Sequence, residues 1–335
     1  MSRKVLVVFV ITLFGMLLIS TMVNIGLLIM APLRQQSSGP GEFREVELYA
    51  GNAEQKIVHI DLEGMISNVG GGFLGTTVSE VKRMLEAASA DSSVAAIVLR
   101  VNSPGGEITA SDVLYNTVRT TAANKPVVVY IDTVGASGGY YIACAGSYVM
   151  AHETAITGSI GVIIQSLNYK ELLGKVGLDS VVFTSGEFKD MLSPSRDMRP
   201  DEQAYVQNMV DEMYARFVGI VSESREIPVE TLKNGIADGR ILSGKNALEA
   251  DLIDATGYIE EAYAKARELG NAPNARIVRY GHDVRLGSLL SFLGKASTDK
   301  LNRAEEQRVR LEIGRSLYPE LQPGTVYLLP AHFAY

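Results

Sequence analysis

The chain has 335 residues, 47% of them hydrophobic and 21% charged, which excludes a disordered chain and fits one large domain or two modest ones. A net charge of −7 without basic blocks leaves no electrostatic footprint for nucleic acid. A single cysteine excludes an intramolecular disulfide and any multi-thiolate metal site, and four histidines (His59, His152, His282 and His332) leave imidazole chemistry few places to reside.

Residues 5–30 carry no charge, and a helix of that length reaches about 39 Å at ~1.5 Å per residue, enough to cross a bilayer with some tilt. Arg3 and Lys4 precede it, which predicts a cytoplasmic amino end and everything after Pro32 on the other side. A cleavable signal peptide has a shorter apolar region, and Met30-Ala31-Pro32 is a poor small-residue cleavage site, so an uncleaved anchor is expected. Residues 34–55 are polar with Gly and Pro interspersed and read as a tether.

Beyond the tether, short apolar runs alternate with helical patterns. Lys56–Leu62 reads as a strand, and residues 77–88 place Val78, Val81, Met84 and Leu85 at helical spacing. Residues 94–101 form a nearly continuous apolar run, as a strand covered on both faces requires, and Asn102-Ser103-Pro104-Gly105-Gly106 breaks it before a helix over 111–123. Residues 126–131 repeat the pattern, ending at Gly135-Ala136-Ser137-Gly138-Gly139 and a helix-like segment over 140–145. Strand, glycine turn, helix, repeated, is the grammar of an α/β protein with largely parallel strands, and function gathers where such strands end and helices begin. Further strands are expected over 148–151, 160–164 and 180–184, with a long amphipathic helix over 199–223 and shorter helices over 229–235, 246–250 and 258–269.

Gly135-Ala136-Ser137-Gly138-Gly139 fits Gly-x-Ser-x-Gly, where small neighbours let a strained turn expose a hydroxyl while the next N–H faces an incoming carbonyl oxygen. A serine in such a turn can also merely cap the next helix. As a nucleophile it needs a base. An α/β-hydrolase order could use Asp251 or Asp254 and then His282, whereas His152 follows Ser137 too closely. A lysine serves if its amine is desolvated and neutral. Lys170, Lys175 and Lys245 sit in solvated amphipathic patterns, while Lys189 lies between Phe188 and Met191 in a loop after an expected strand. The Ser103-Pro104-Gly105-Gly106 turn can aim backbone N–H groups at a ligand, and Ser159 in Thr157-Gly158-Ser159-Ile160-Gly161 can bond a neutral amine or cap a turn.

Taken together, Ser103–Gly106, the Gly-Ala-Ser-Gly-Gly-Tyr-Tyr stretch at 135–141, Thr157–Val162, and Lys189-Asp190 followed by Ser193-Pro194 and Arg196 resemble the bacterial signal peptide peptidase A (protease IV) family. The resemblance runs from about Ile57 to Gly257 and also takes in Asp238-Gly239-Arg240 and Leu252-Ile253-Asp254. It implies Ser137 as nucleophile, Lys189 as general base, Ser159 as the residue orienting the lysine, and an oxyanion hole from the N–H groups of Gly106 and Gly138, with Gly105 an alternative for the first. It also implies an α/β Clp-protease/crotonase-like superhelix of ββα units behind the transmembrane helix, no cofactor or metal, and a ring-like homo-oligomer. The expected organisation is a cytoplasmic end at 1–4, a span at 5–30, an extracytoplasmic tether at 31–55, a serine peptidase domain at 56–282 and an extension at 283–335. Expected substrates are cleaved signal peptides and other extended apolar peptides. The tail, residues 324–335, is itself apolar and substrate-like, and is expected either to lie in a groove as an added strand and be trimmed, or to pack on the body.

Overall fold

The computed structural model describes Ser20 and residues 43–51, 54–68, 78–281 and 327–328. The expected anchor at 5–30 lies almost wholly outside the described residues, as do His282 and His332; among the described residues no helix is long and apolar enough to cross a membrane. The described residues from Phe43 onward belong to one compact unit.

Its centre is a mixed, mostly parallel sheet. β2 (Lys56–Glu63), β3 (Val94–Ser103), β5 (Val127–Ala136) and β6 (Tyr148–Ala151) lie side by side in parallel, and β10 (Arg276–Gly281) pairs parallel with β2 on its other edge. Arg44–Tyr49, inside the stretch read as tether, forms β1 antiparallel to β10; Glu45 anchors it by pairing with Lys56 and Arg276. The apolar runs of β2, β3 and β5 read as continuous because both sheet faces are covered. One face packs on α1 (Val78–Ala90) and α2 (Ile108–Asn124), with α5 (Pro200–Arg225) adding Phe217, Val218 and Val221 to the same core, and the other face packs on α8 (Ile259–Leu269), through Ala262, Tyr263 and Ala266. His59 is buried on the α8 face, with ring nitrogens 2.9 Å from Tyr263 Oη and 2.9 Å from Asp61 Oδ1.

Two successive units run long strand, short strand, helix: β2, a bridge at Ile66 and α1, then β3, β4 (Gly106–Glu107) and α2. Ile66 bridges Gly106 in parallel, so the short segments pair as the long ones do. β5 then forks. Its first half, Val128 to Ile131, pairs with β6, and its end, Val134 to Ala136, pairs with β7 (Ile156–Gly158). β7 in turn runs antiparallel to β8 (Ile241–Ser243), which follows α6 (Val229–Lys233) and leads into α7 (Gly244–Glu249), while β9 (Ala255–Thr256) closes the far edge beside β6.

Two expected strands do not form. Residues 160–164 follow a turn with positive φ at Gly158 and Ser159 and keep only a single bridge, at Ile163, and among the described residues no strand pairs with 180–184. The β-branched run at Val181-Val182 has strand propensity, but a strand needs a partner for its ladder, and the segment stays irregular and exposed. The helix read over 199–223 is α5, whose buried face is Glu202, Val206, Phe217, Val218, Ile220 and Val221, while Tyr205 faces out.

Candidate active site

Ser137 sits between the end of β5 and α3 (Gly138–Ala143), with φ 53° and ψ −115°, a conformation that costs a non-glycine residue about 1–3 kcal/mol. The anchoring outweighs that cost. Val127, Val128, Val129 and Ile131 of the same strand are fully buried, each contributing about 1.5–3 kcal/mol. At the turn itself, Ser137 N–H donates to the Gly158 carbonyl (2.8 Å), and the Ser137 carbonyl accepts from Tyr141 N–H (2.8 Å). The Tyr140 hydroxyl donates to the Leu252 carbonyl (2.7 Å) and that of Tyr141 to Asp112 (2.6 Å), so α3 is held from two further segments.

The hydroxyl so presented has nothing to bond. Ser137 is 0% exposed, and among the described residues its Oγ is the buried side-chain polar atom left without a partner. Native interiors rarely leave a buried hydroxyl orphaned, because doing so costs about 1–3 kcal/mol; such an atom points to a group that awaits a partner.

The two glycine turns meet there. A Cβ on Gly138 would stand 3.2 Å from Gly106 N and 2.5 Å from Ser111 Oγ, so only glycine lets α3 approach the β4 turn this closely. Gly106 is equally confined, since a Cβ there would collide with the backbone of Ile66. Gly105 N–H donates to Ser103 Oγ (3.2 Å), and Glu107 N–H donates to the Ile66 carbonyl (2.8 Å). Successive strand amides point to opposite sides, so Gly106 N–H faces away from Ile66. Gly138 opens α3, where the first amides have no acceptor within their helix. Gly106 N thus lies close to Gly138, the residue that follows Ser137.

Ser159 is buried on the far side, φ 52°, one residue beyond the carbonyl that receives Ser137 N–H; its own N–H donates to the Arg240 carbonyl (2.8 Å). The structure thus gathers Ser137, Gly138, Gly105, Gly106 and Ser159. Lys189 it does not gather. It lies in a long exposed segment, where every residue from 165 to 189 except Leu173 is open to solvent, α4 (Lys170–Lys175) included, and within a single chain it does not reach Ser137 Oγ. Phe188 beside it is partly exposed, its ring 5.6 Å from that of Tyr205.

The histidine alternatives fare differently. His152 packs its ring against Tyr258 at the surface, and Asp254 is committed to Val149 N–H (2.6 Å) and Arg225 (3.0 Å). Cys144 is buried, and its thiol is pushed up to about 11 by desolvation, as befits a packing residue. Sequence reasoning missed Ser111, whose Oγ fills the space a Gly138 side chain would need, and Glu202, which reads as an ordinary first-turn acid yet is buried.

The family model for peptidase family S49 matches residues 119–272, and that for Clp protease matches residues 61–167. A protein of Enterococcus faecium assigned as a signal peptide peptidase SppA is 33% identical over 265 residues, 76% of this chain and 75% of that one. The chain belongs to peptidase family S49. This S49 member is a serine peptidase, with a mixed α/β sheet that fits the Clp protease family over its first units. A protein of Methanocaldococcus jannaschii assigned as a protease is 40% identical over 214 residues, 63% of this chain and 68% of that protein. Protease 4 of Haemophilus influenzae is 30% identical over 268 residues, 77% of this chain but 42% of that longer protein.

One last feature bears on the site. β11 (Tyr327–Leu328), from the apolar tail, pairs antiparallel with β4, placing Leu328 opposite Gly106 and Tyr327 opposite Glu107.

Proposed function

We propose that this S49 peptidase is a membrane-anchored endopeptidase with a Ser137–Lys189 dyad that degrades cleaved signal peptides and other extended apolar peptides. The orphaned Ser137 hydroxyl carries the reading. A buried nucleophile with two amides converging beside it has every part of an acyl-transfer site except a base.

The base comes with assembly. Leu167, Leu172, Val176, Val181 and Phe183 are all exposed in the segment before Lys189, Val181 at 75% and Phe183 at 93%. Apolar surface on that scale is covered in a working protein, and a second copy of the chain supplies matching surface. Packing between copies in a ring brings the Lys189 amine, desolvated, to a serine, with Ser159 to orient it.

Ser137 Oγ then attacks the peptide carbonyl as the amine of Lys189 takes its proton. The N–H groups of Gly106 and Gly138 hold the oxyanion, each contributing about 3 kcal/mol. Gly106 is favoured over Gly105 because the Gly105 amide is already bonded to Ser103. The protonated amine next gives its proton to the leaving nitrogen, and water hydrolyses the acyl-enzyme by the reverse relay. Residues 5–30 anchor the chain with its amino end in the cytoplasm and its catalytic part outside, where membrane-derived apolar peptides first arrive.

Ser137→Ala and Lys189→Ala should each abolish cleavage of an apolar peptide while circular dichroism stays unchanged, and near-normal activity in either would end the dyad reading. Mixing the two inactive variants should restore part of the activity, because assembled chains would then pair an intact serine with an intact lysine.

A further inference from the structure

Lys189 is followed directly by a carboxylate. A carboxylate within about 4–6 Å of an amine favours the ammonium form, which a general base cannot use. The structure shows where that carboxylate goes. Arg196 takes both Asp190 oxygens, Nε to Oδ2 at 2.7 Å and Nη2 to Oδ1 at 2.9 Å, and Nη2 also reaches the Asp190 carbonyl at 3.2 Å. These bonds hold the Asp190 carboxyl below its usual range.

The guanidinium is itself braced. Glu202, 0% exposed, accepts from Arg196 Nη1 (2.9 Å) and Nη2 (2.5 Å), and from Arg199 N–H (2.9 Å) at the start of α5. Arg199 donates to the Glu187 carbonyl (2.8 Å) and lies over the Phe188 ring (5.6 Å). The chain is thus fixed on both sides of Lys189. The remaining charges are spoken for: Asp197 pairs with Lys170, Asp201 with Arg199, and Glu187 is exposed and screened by water. Among the described residues Lys189 Nζ has no hydrogen-bond or ion-pair partner.

We propose that Arg196 is a positioning residue that sequesters the Asp190 carboxylate from the Lys189 amine, leaving the amine free to act as base. The proposal rests on Lys189 being that base. Planar, bidentate capture is a task for arginine, since a lysine ammonium offers a single point charge.

The test is the pH dependence of kcat/KM of the full chain with a quenched-fluorescence apolar peptide. Arg196→Met frees Asp190, so the rising limb should move up by about one pH unit, losing roughly tenfold in rate below the limb and recovering at higher pH. Adding Asp190→Asn to Arg196→Met should return the limb to the wild-type position. A uniform loss at every pH, or a limb that Asp190→Asn does not bring back, overturns the proposal. Should Arg196→Met fail to fold, Arg196→Lys is read in the same way against Arg196→Lys with Asp190→Asn, for a smaller displacement. Lys189→Ala separates the two readings: if it remains active the dyad itself fails, whereas an inactive Lys189→Ala beside an unmoved limb defeats the role of Arg196 alone.

Discussion

Leu328 faces Gly106 across an antiparallel strand pair, so a piece of the chain's own tail occupies the edge of β4 whose amide is assigned to the oxyanion. An extended peptide adding to that edge would run as β11 does, with main-chain bonds giving affinity irrespective of sequence. The tail then behaves as a substrate or as its leftover. Intact-mass measurement after incubation should find the wild type shortened within 324–335 and Ser137→Ala at full length. Deleting 324–335 should lower KM for added peptide several-fold without changing kcat. Identical masses and an unchanged KM would assign the tail to packing on the body.

The contact between Gly138 and Ser111 predicts an unusual rescue. Gly138→Ala forces a methyl against Ser111 Oγ and pushes α3 from the β4 turn, separating the two amides. The expected loss in kcat is on the order of a hundredfold, that of losing one oxyanion donor. Ser111→Ala alone should be mild, because its hydroxyl bonds only the Glu107 carbonyl of its own helix start (2.9 Å). Combined with Gly138→Ala it removes the nearest clashing atom and leaves only the 3.2 Å approaches to Gly105 Cα and Gly106 N, so kcat should recover about tenfold over the single variant; no recovery would mean that the methyl itself, against that backbone, blocks the oxyanion.

Ser137 also predicts a trade of stability against activity. Its hydroxyl is buried and unpaired, so Ser137→Ala should abolish turnover while stabilising the fold by about 1 kcal/mol. Ser137→Gly also relieves the positive φ and should gain at least as much, offset by the greater freedom of glycine in the unfolded chain. Urea unfolding checks both; a destabilised Ser137→Ala would show that the hydroxyl has a structural partner.

Glu202 gives a pH prediction with a definite sign. Hydrogen bonds from Arg196, more than any other influence, hold its carboxyl down to about 2, against an ordinary value near 4.5. A carboxylate depressed in the folded state stabilises it fully above its ordinary value, and that contribution drains away as pH falls through about 2. Wild type should therefore exceed Glu202→Gln in stability at pH 6, with the gap shrinking steadily through pH 4 and pH 3. A gap independent of pH would mean that packing, not charge, accounts for the residue.

Much of this was legible before any coordinates. The apolar runs of β2, β3 and β5 and the glycine turns after them are local signals, and they fixed both the parallel sheet and the places where Ser137, Gly106 and Gly138 stand. Ser159 followed from its motif. The segment 180–184 misled because strand propensity says nothing about whether a neighbour exists. Lys189 could be singled out by its apolar flanks and its resemblance to the family, yet its exposure in the chain is a tertiary property that no local pattern carries. Glu202 was invisible because helix starts favour acids for reasons unconnected with burial, and nothing in the spacing says that two arginines will close over this one.

The fork in β5 sets a schedule. Ser137 is held by Gly158, and the segment containing Gly158 is held by residues 240–243, which lie more than a hundred positions beyond Ser137. A ribosome must release that stretch before the turn bearing Ser137 is locked, so on the proposed mechanism a half-made chain should not yet cut itself or its neighbours.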